Sequence, residues 1–302
     1  MVARPSSTFL LTLLLCALAL AVTLPAFAAS RPGPKPIRIV SLTLGTDEIL
    51  LALVEPSRVL AVTYLAAEPV VSNVVREARA VPHRIGTDPE RIISLRPDLV
   101  LAASYTTREL VRLLRDAGVR VVQVQLFDSV DRIGENVALV AAAVGEEARG
   151  RAIIAAMEAR LQRLAAAVAR RSWTPRVLFY SSEGTTVGRG TAIGDIITRA
   201  GGVNAGALAG LTGHAPLSLE GLVAVNPDVM LLGDYHFPRP TIHSDFLNHP
   251  AVRGLEARRA SRIYTVSVKY LSTVSHHIAR GVEEVVRRLH PGLLPPKGDG
   301  DG

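Results

Sequence analysis

Glu90-Arg91-Ile92-Ile93-Ser94-Leu95-Arg96-Pro97-Asp98-Leu99-Val100-Leu101 returns, 130 residues later, as Glu220-Gly221-Leu222-Val223-Ala224-Val225-Asn226-Pro227-Asp228-Val229-Met230-Leu231. The shared pattern is E-x-[IL]-[IV]-x-[LV]-x-P-D-[LV]-x-L. It reads as a short helix, a stop and a buried strand. Asp88 is placed to cap the first helix with Pro89 at its first position, and Ser218 caps the second. Proline disfavours helix at the residue before it. The apolar run after each Pro-Asp then reads as a strand covered on both faces, as in a parallel sheet. Each Glu stands in a first helical turn where nothing asks for burial. Two equivalent exposed carboxylates on two equivalent units suit a two-lobed protein meeting a two-fold partner. Acids are also favoured there by the helix dipole alone, and the spacing leaves both readings open.

Working outward to the start, residues 1–28 read as an export signal. Arg4 supplies the positive charge, Phe9 to Val22 is apolar apart from Thr12, and Ala26-Phe27-Ala28 is a small-x-small cleavage site. The expected mature chain is periplasmic or otherwise extracytoplasmic and begins near Ala29. The only cysteine, Cys16, lies in the leader and follows Leu15 rather than a small residue, which argues against a lipid anchor. Its removal excludes disulfides, thiolate metal sites and a cysteine nucleophile. The formal charge is +7, and only three of the 34 basic residues are lysine. The arginines are scattered, without a stripe or interleaved aromatics. That pattern suits weak attraction for an anionic small molecule and argues against nucleic-acid binding.

Along the mature chain, 29–36 is a proline-rich linker and 37–144 alternates strand and helix with short turns, the signature of a parallel α/β lobe. Strands are expected at 37–41, 58–63, 99–102 and 119–124, and helices to Leu53, over 69–80 and over 107–117. Residues 82–86 read as loop. Residues 145–172 form one long helix. Ile154, Met157, Leu161, Leu164 and Val168 fall on one stripe, and neither Gly nor Pro interrupts 151–171. Such a rod either bridges two lobes or serves as a core helix within one. A second α/β lobe covers 173–290, with a turn at 184–190, a loop at 211–216 and a last helix from about Thr273 to Leu289. Residues 291–302 read as a disordered tail. The fold class is thus α/β, two parallel-sheet lobes joined by one long helix.

Ligands of parallel α/β sheets meet the loops beyond the carboxyl ends of strands. Five of the six tyrosines, Tyr64, Tyr105, Tyr180, Tyr235 and Tyr270, fall at or just after expected strand ends. Two facing lobes would gather such rings around one cleft. Tyr64, Tyr105, Tyr235 and Tyr270 are the principal candidates, with His83, Arg84, His214 and Lys269 near the ligand. The eight histidines include no HExxH or H-x3-H pair, so no bare-metal site is assigned. No nucleophile elbow, Walker loop or GxGxxG after a strand is present, and no catalytic residue is assigned.

With the leader, the two lobes, the long helix and the twin Glu…Pro-Asp stretches together, the chain resembles the periplasmic substrate-binding proteins of ABC importers for vitamin B12, ferric siderophores and haem. The resemblance covers 37 to about 290, and Arg38-Ile39-Val40-Ser41-Leu42 is also typical of that family. It implies a monomeric binder, not an enzyme, that clasps one metal chelate between its lobes. It further implies delivery to a permease dimer with its ATPase. Glu90 and Glu220 match the family's two surface glutamates that dock on permease arginines. The ligand implied is a ferric siderophore or a corrinoid, with haem as the alternative; no resident cofactor is implied. The only tryptophan, Trp173, departs from the tryptophan-rich clefts of cobalamin binders. A ligand sensor or a hydrolytic enzyme on the same scaffold is the reading from another class.

Overall fold

The computed structural model describes residues 35–125, 128–181, 183–234 and 243–296. The leader and Tyr235 lie outside them. In chain order the first lobe comprises β1 (Ile39–Ser41), α1 (Leu44–Leu53), β2 (Val59–Thr63), α2 (Val75–Arg79), β3 (His83–Ile85), α3 (Pro89–Ser94), β4 (Leu99–Ala103), α4 (Arg108–Asp116), β5 (Val121–Val124) and α5 (Arg132–Val144). Its sheet runs β3-β2-β1-β4-β5, all parallel. Helix α6 (Glu147–Val168) follows. The second lobe holds β6 (Arg176–Tyr180), β7 (Thr185–Val187), α7 (Ala192–Arg199), β8 (Val203–Asn204), α8 (Ala205–Leu208), β9 (His214–Pro216), α9 (Leu219–Val225) and β10 (Val229–Asp234). It continues through α10 (His243–Asn248), α11 (Pro250–Arg253), α12 (Glu256–Arg259), β11 (Ile263–Ser267), α13 (Val268–Leu271) and α14 (Ile278–Leu289). Its main sheet is parallel in the order β11-β10-β6-β8, and β7 and β9 make a separate antiparallel pair.

Both copies of the repeated stretch fold alike, and a shared device fixes them to their sheets. Asp98 Oδ2 accepts from Ile37 N and Arg38 N, both at 3.0 Å. The Arg38 guanidinium then donates to Arg96 O (2.9 Å) and Leu95 O (2.6 Å), closing the end of α3. In the second lobe Asp228 Oδ2 accepts from Arg176 N at 2.7 Å, and Arg176 donates to Val225 O (3.2 Å) and Asn226 O (2.7 Å) behind α9. The residue before each proline, Arg96 or Asn226, turns left-handed at φ 47° or 39°. In each lobe an arginine at the mouth of the first strand thus satisfies the open carbonyls of the Glu-bearing helix. Asp228→Ala is expected to cost about 1–3 kcal/mol in chemical unfolding, because it strands half-buried donors. Asp98→Ala, at a more exposed copy, should cost less. Equal, negligible losses would mean that the device is ornamental.

Helix α6 has 22 residues, about 33 Å at 1.5 Å each. Met157, Leu164 and Val168 are buried and Ile154 and Leu161 half-buried, as the stripe predicts. It packs on α5 of the first lobe and α14 of the second, where Arg160 donates to Glu283 Oε2 at 2.8 Å through Nε. Beyond its end, Arg262 lies over the Trp173 ring, 4.6 Å from the centroid.

Several local expectations yield to long-range contacts. The helix expected over 69–80 forms only at 75–79, because Asn73 N and Nδ2 are taken by Glu48 of α1 and Val74 N by Ser72 Oγ. The last helix starts at Ile278 rather than Thr273, since Thr273 and Ser275 turn their hydroxyls to the same Glu48. The 82–86 loop contains an edge strand, β3, supported by pairing with β2. The turn at 184–190 and the loop at 211–216 contain β7 and β9. The tail is held as far as 295, where Leu294 meets the core and Arg287 Nη1 donates to Pro295 O at 2.5 Å; residues 297–302 lie outside the described residues.

Candidate functional site

The strand order reverses between β1 and β4 in the first lobe and between β6 and β10 in the second, and ligands of such sheets sit beyond those carboxyl ends. A cavity of about 610 Å³ opens between the lobes there. Gln125, Asp128 and Arg132 line it from the first lobe. From the second come Gly190–Ile193 at the start of α7, Gly213 and His214 at β9, and Leu271–Val274 at and beyond the end of α13. The walls mix apolar groups (Ile193, Leu271, Val274) with neutral hydrogen-bonding ones (Gln125, Thr191, Ser272, Thr273). The charges on the wall, Asp128 and Arg132, pair at 2.8 Å.

Tyr64 and Tyr105 stand on the rim of the first lobe, 57% and 65% exposed. They follow β2 and β4, which flank β1, so their backbones are on the order of 10 Å apart at ordinary strand spacing. Beneath them is a buried polar cluster. Asp47 is wholly buried and accepts from Thr63 Oγ1 (2.5 Å) and Thr63 N (3.2 Å). Burial pushes its pKa up to about 7, against the pull of hydrogen bonds from Ser41 and Thr63. The Tyr105 hydroxyl reaches Thr43 beside it.

Among the other sequence candidates, His214 lines the cavity. Lys269 and Tyr270 lie in α13, next to the wall at Leu271, with Lys269 Nζ 5.2 Å above the Tyr270 ring. His83 opens the edge strand β3 and is exposed. The guanidinium of Arg84 is engaged away from the cavity: it donates to Ala78 O (2.6 Å) and Val81 O (3.0 Å), closing the end of α2. Tyr180, though at a strand end, stacks on Phe246 at 5.1 Å and donates to Leu217 O. Glu90 and Glu220 are exposed in the first turns of α3 and α9. The backbone amide of Glu220 and the Ser218 hydroxyl hold its carboxyl below the usual range, so it is ionised at neutral pH. Among the described residues no group of three or more His, Cys, Asp or Glu is placed to hold a metal ion.

Gln125, Asp128, Arg132, Thr191 and Thr273 were not anticipated from sequence. Gln125 directly follows β5 and Thr191 caps α7, so the strand-end rule used for the tyrosines would have reached Gln125.

A sequence profile of the family described as "Periplasmic binding protein" matches residues 39–269. A "Cobalamin-binding protein" of Halobacterium salinarum is 30% identical over 264 residues, 85% of this chain and 70% of the relative. An "Uncharacterized ABC transporter substrate-binding lipoprotein" of Bacillus subtilis is 24% identical over 265 residues, 85% of this chain and 81% of its own. Among solved structures, the apo periplasmic haem-binding protein RhuT from Roseiflexus sp. RS-1 superposes with a TM-score of 0.75 at 28% identity, covering 85% of this chain and 99% of that one.

Proposed function

We propose, from the premise that this chain belongs to the periplasmic binding protein family, that it captures a corrinoid between its lobes and hands it to the permease of an ABC importer. It does so outside the cytoplasm, as an exported monomer. The wall of the interlobe cavity carries the reading. Its hydrogen-bonding groups are mostly neutral amides and hydroxyls, its charges are self-paired, and apolar side chains alternate with them. Corrinoids present a broad apolar ring edged with neutral amides, a chemistry that suits a wall of mixed apolar and neutral polar groups. Haem and many ferric siderophores carry free anionic groups, for which this wall offers the His214 imidazole and an Arg132 already paired with Asp128. The relative named for cobalamin agrees in chemistry. Haem is the second reading, favoured by the likeness to RhuT and by two exposed tyrosines on the rim.

The test is a titration of the purified protein with cyanocobalamin, haemin and a panel of ferric siderophores. One saturating site is expected, tightest for cyanocobalamin. Tighter binding of haemin would move the assignment to the second reading, and no binding to any probe would end both. Tyr64→Ala and Tyr105→Ala should each weaken binding about fivefold to thirtyfold, from loss of about 1–2 kcal/mol of ring contact. Unchanged affinity in both folded variants would remove the rim from the site.

A further inference from the structure

Glu48 is wholly buried, and no cation is paired with it among the described residues. An isolated carboxylate there is costly unless donors converge on it. Four do, two from each lobe. Oε1 accepts from Asn73 N and Asn73 Nδ2, both at 2.9 Å. Oε2 accepts from Thr273 Oγ1 and Ser275 Oγ, both at 2.5 Å. Asn73 Nδ2 also crosses to the second lobe, donating to Lys269 O at 2.9 Å. Two helices begin late because of this node, so the chain gives up local structure to build it. Gly45, in the same turn of α1, supplies an independent observation. A Cβ there would overlap Val274 Cγ2, so the backbone of the first lobe lies directly on the cavity wall of the second. Across the cavity, Asp195 Oδ2 accepts from Val130 N at 2.8 Å, and Arg199 pairs with Asp131 at 2.5 Å. The cavity therefore lies between two polar ties, of which the one at Glu48 is buried.

We infer that Glu48 is a positioning residue for the ligand: it locks the wall Leu271–Val274 of the second lobe onto α1 of the first, so the cavity holds its binding width before a ligand arrives. This rests on the reading of that cavity as the ligand site. Pre-organisation of this kind spares the ligand the work of ordering its own site.

The variants are Glu48→Ala, Glu48→Gln, Ser275→Ala and the wedge Gly45→Ala. Two readouts are taken: hydrogen exchange of the 269–276 amides in ligand-free protein, and titration with cyanocobalamin and haemin. Glu48→Ala should speed exchange over 269–276 and weaken binding about tenfold or more while far-ultraviolet circular dichroism is retained. Glu48→Gln should restore both, since its amide oxygen accepts from Asn73 and its amide nitrogen donates to the two hydroxyls turned round. Glu48→Ala and Ser275→Ala should be non-additive, and Gly45→Ala should reproduce the loss of affinity without touching the carboxylate. If Glu48→Ala lowers only the melting temperature, with exchange and affinity as in wild type, the inference fails and Glu48 is only a buried core acid. Should Glu48→Ala not fold, wild-type exchange and affinity in Ser275→Ala and Gly45→Ala overturn it equally. If the wild-type protein binds neither probe, the proposed function fails, and the exchange experiment alone decides the tie.

Discussion

Protein in which Glu90 and Glu220 are both alanine is expected to bind its ligand with wild-type affinity and to stimulate ATP hydrolysis by the reconstituted importer poorly. The two carboxylates occupy the same turn of equivalent helices, α3 and α9, each fixed to its sheet by the same arginine and aspartate. Their separation is therefore set by two rigid lobes and not by loops. Both begin helices that precede strands, whereas the cavity lies at the strands' far ends. A permease built from two like subunits presents two like basic sites to such a pair. Rim charges act mainly on encounter and register, so the pair is expected to change docking on the order of tenfold to a hundredfold, with each single change intermediate. High salt should mimic the loss, because exposed charges are screened. Normal transport by the double variant, or loss of ligand binding in solution by either single one, would leave the helix dipole as the whole reason for both acids.

A second large effect concerns stability and pH at Asp47. Its pKa in the folded protein is about 7, against 3.8 ordinarily. The folded state thus holds the proton more tightly than the unfolded state does. The stabilisation this provides is complete below about pH 4 and is lost as pH rises through 7. At about 1.4 kcal/mol per unit, the ceiling is on the order of 4 kcal/mol. Asp47→Asn keeps the acceptor for Thr63 and removes the charge. Unfolding free energies of wild type minus variant should fall by a few kcal/mol between pH 5 and pH 8. The difference is the quantity to follow, because other buried groups titrate nearby. Burial also raises Glu48, with the same sign. His276 and His277, lowered by burial to about 4 and about 3, act with the opposite sign below about pH 6.5. A wild-type-minus-variant difference that is flat across that range would show that Asp47 keeps one charge state throughout.

The parts of this fold legible in the sequence are those whose cause is local. Capping by Asp88 and Ser218, the prolines after α3 and α9, the apolar strands behind them and the stripe on α6 all announce themselves within a dozen residues. Strands β3, β7 and β9 are three residues each and exist only through a partner strand, so no periodicity reveals them. The candidate site was half legible for the same reason. The strand-end rule brings Tyr64 and Tyr105 to the rim, and the loop reading of 211–216 brings His214 to the wall. It also picks Tyr180, which a neighbouring ring takes up. Arg84 looked available because 82–86 reads as loop, but its guanidinium closes the open carbonyls at the end of α2, Ala78 O and Val81 O. Glu48 was illegible: it reads as one acid in an apolar helix, and half of its donors come from positions more than 200 residues away.

Trp173, beneath Arg262 where α6 meets the second lobe, is the only indole in the chain. Light absorbed at the red edge of the protein band is therefore emitted from a single known position. A corrinoid or a haem held between the lobes absorbs across that emission and should drain it by resonance energy transfer, a process sensitive to distance over tens of ångströms. The protein thus carries its own unlabelled optical gauge of occupancy. Because the donor stands just beyond the end of the helix that joins the lobes, the depth of quenching at saturation also measures how far from that junction the bound ring lies.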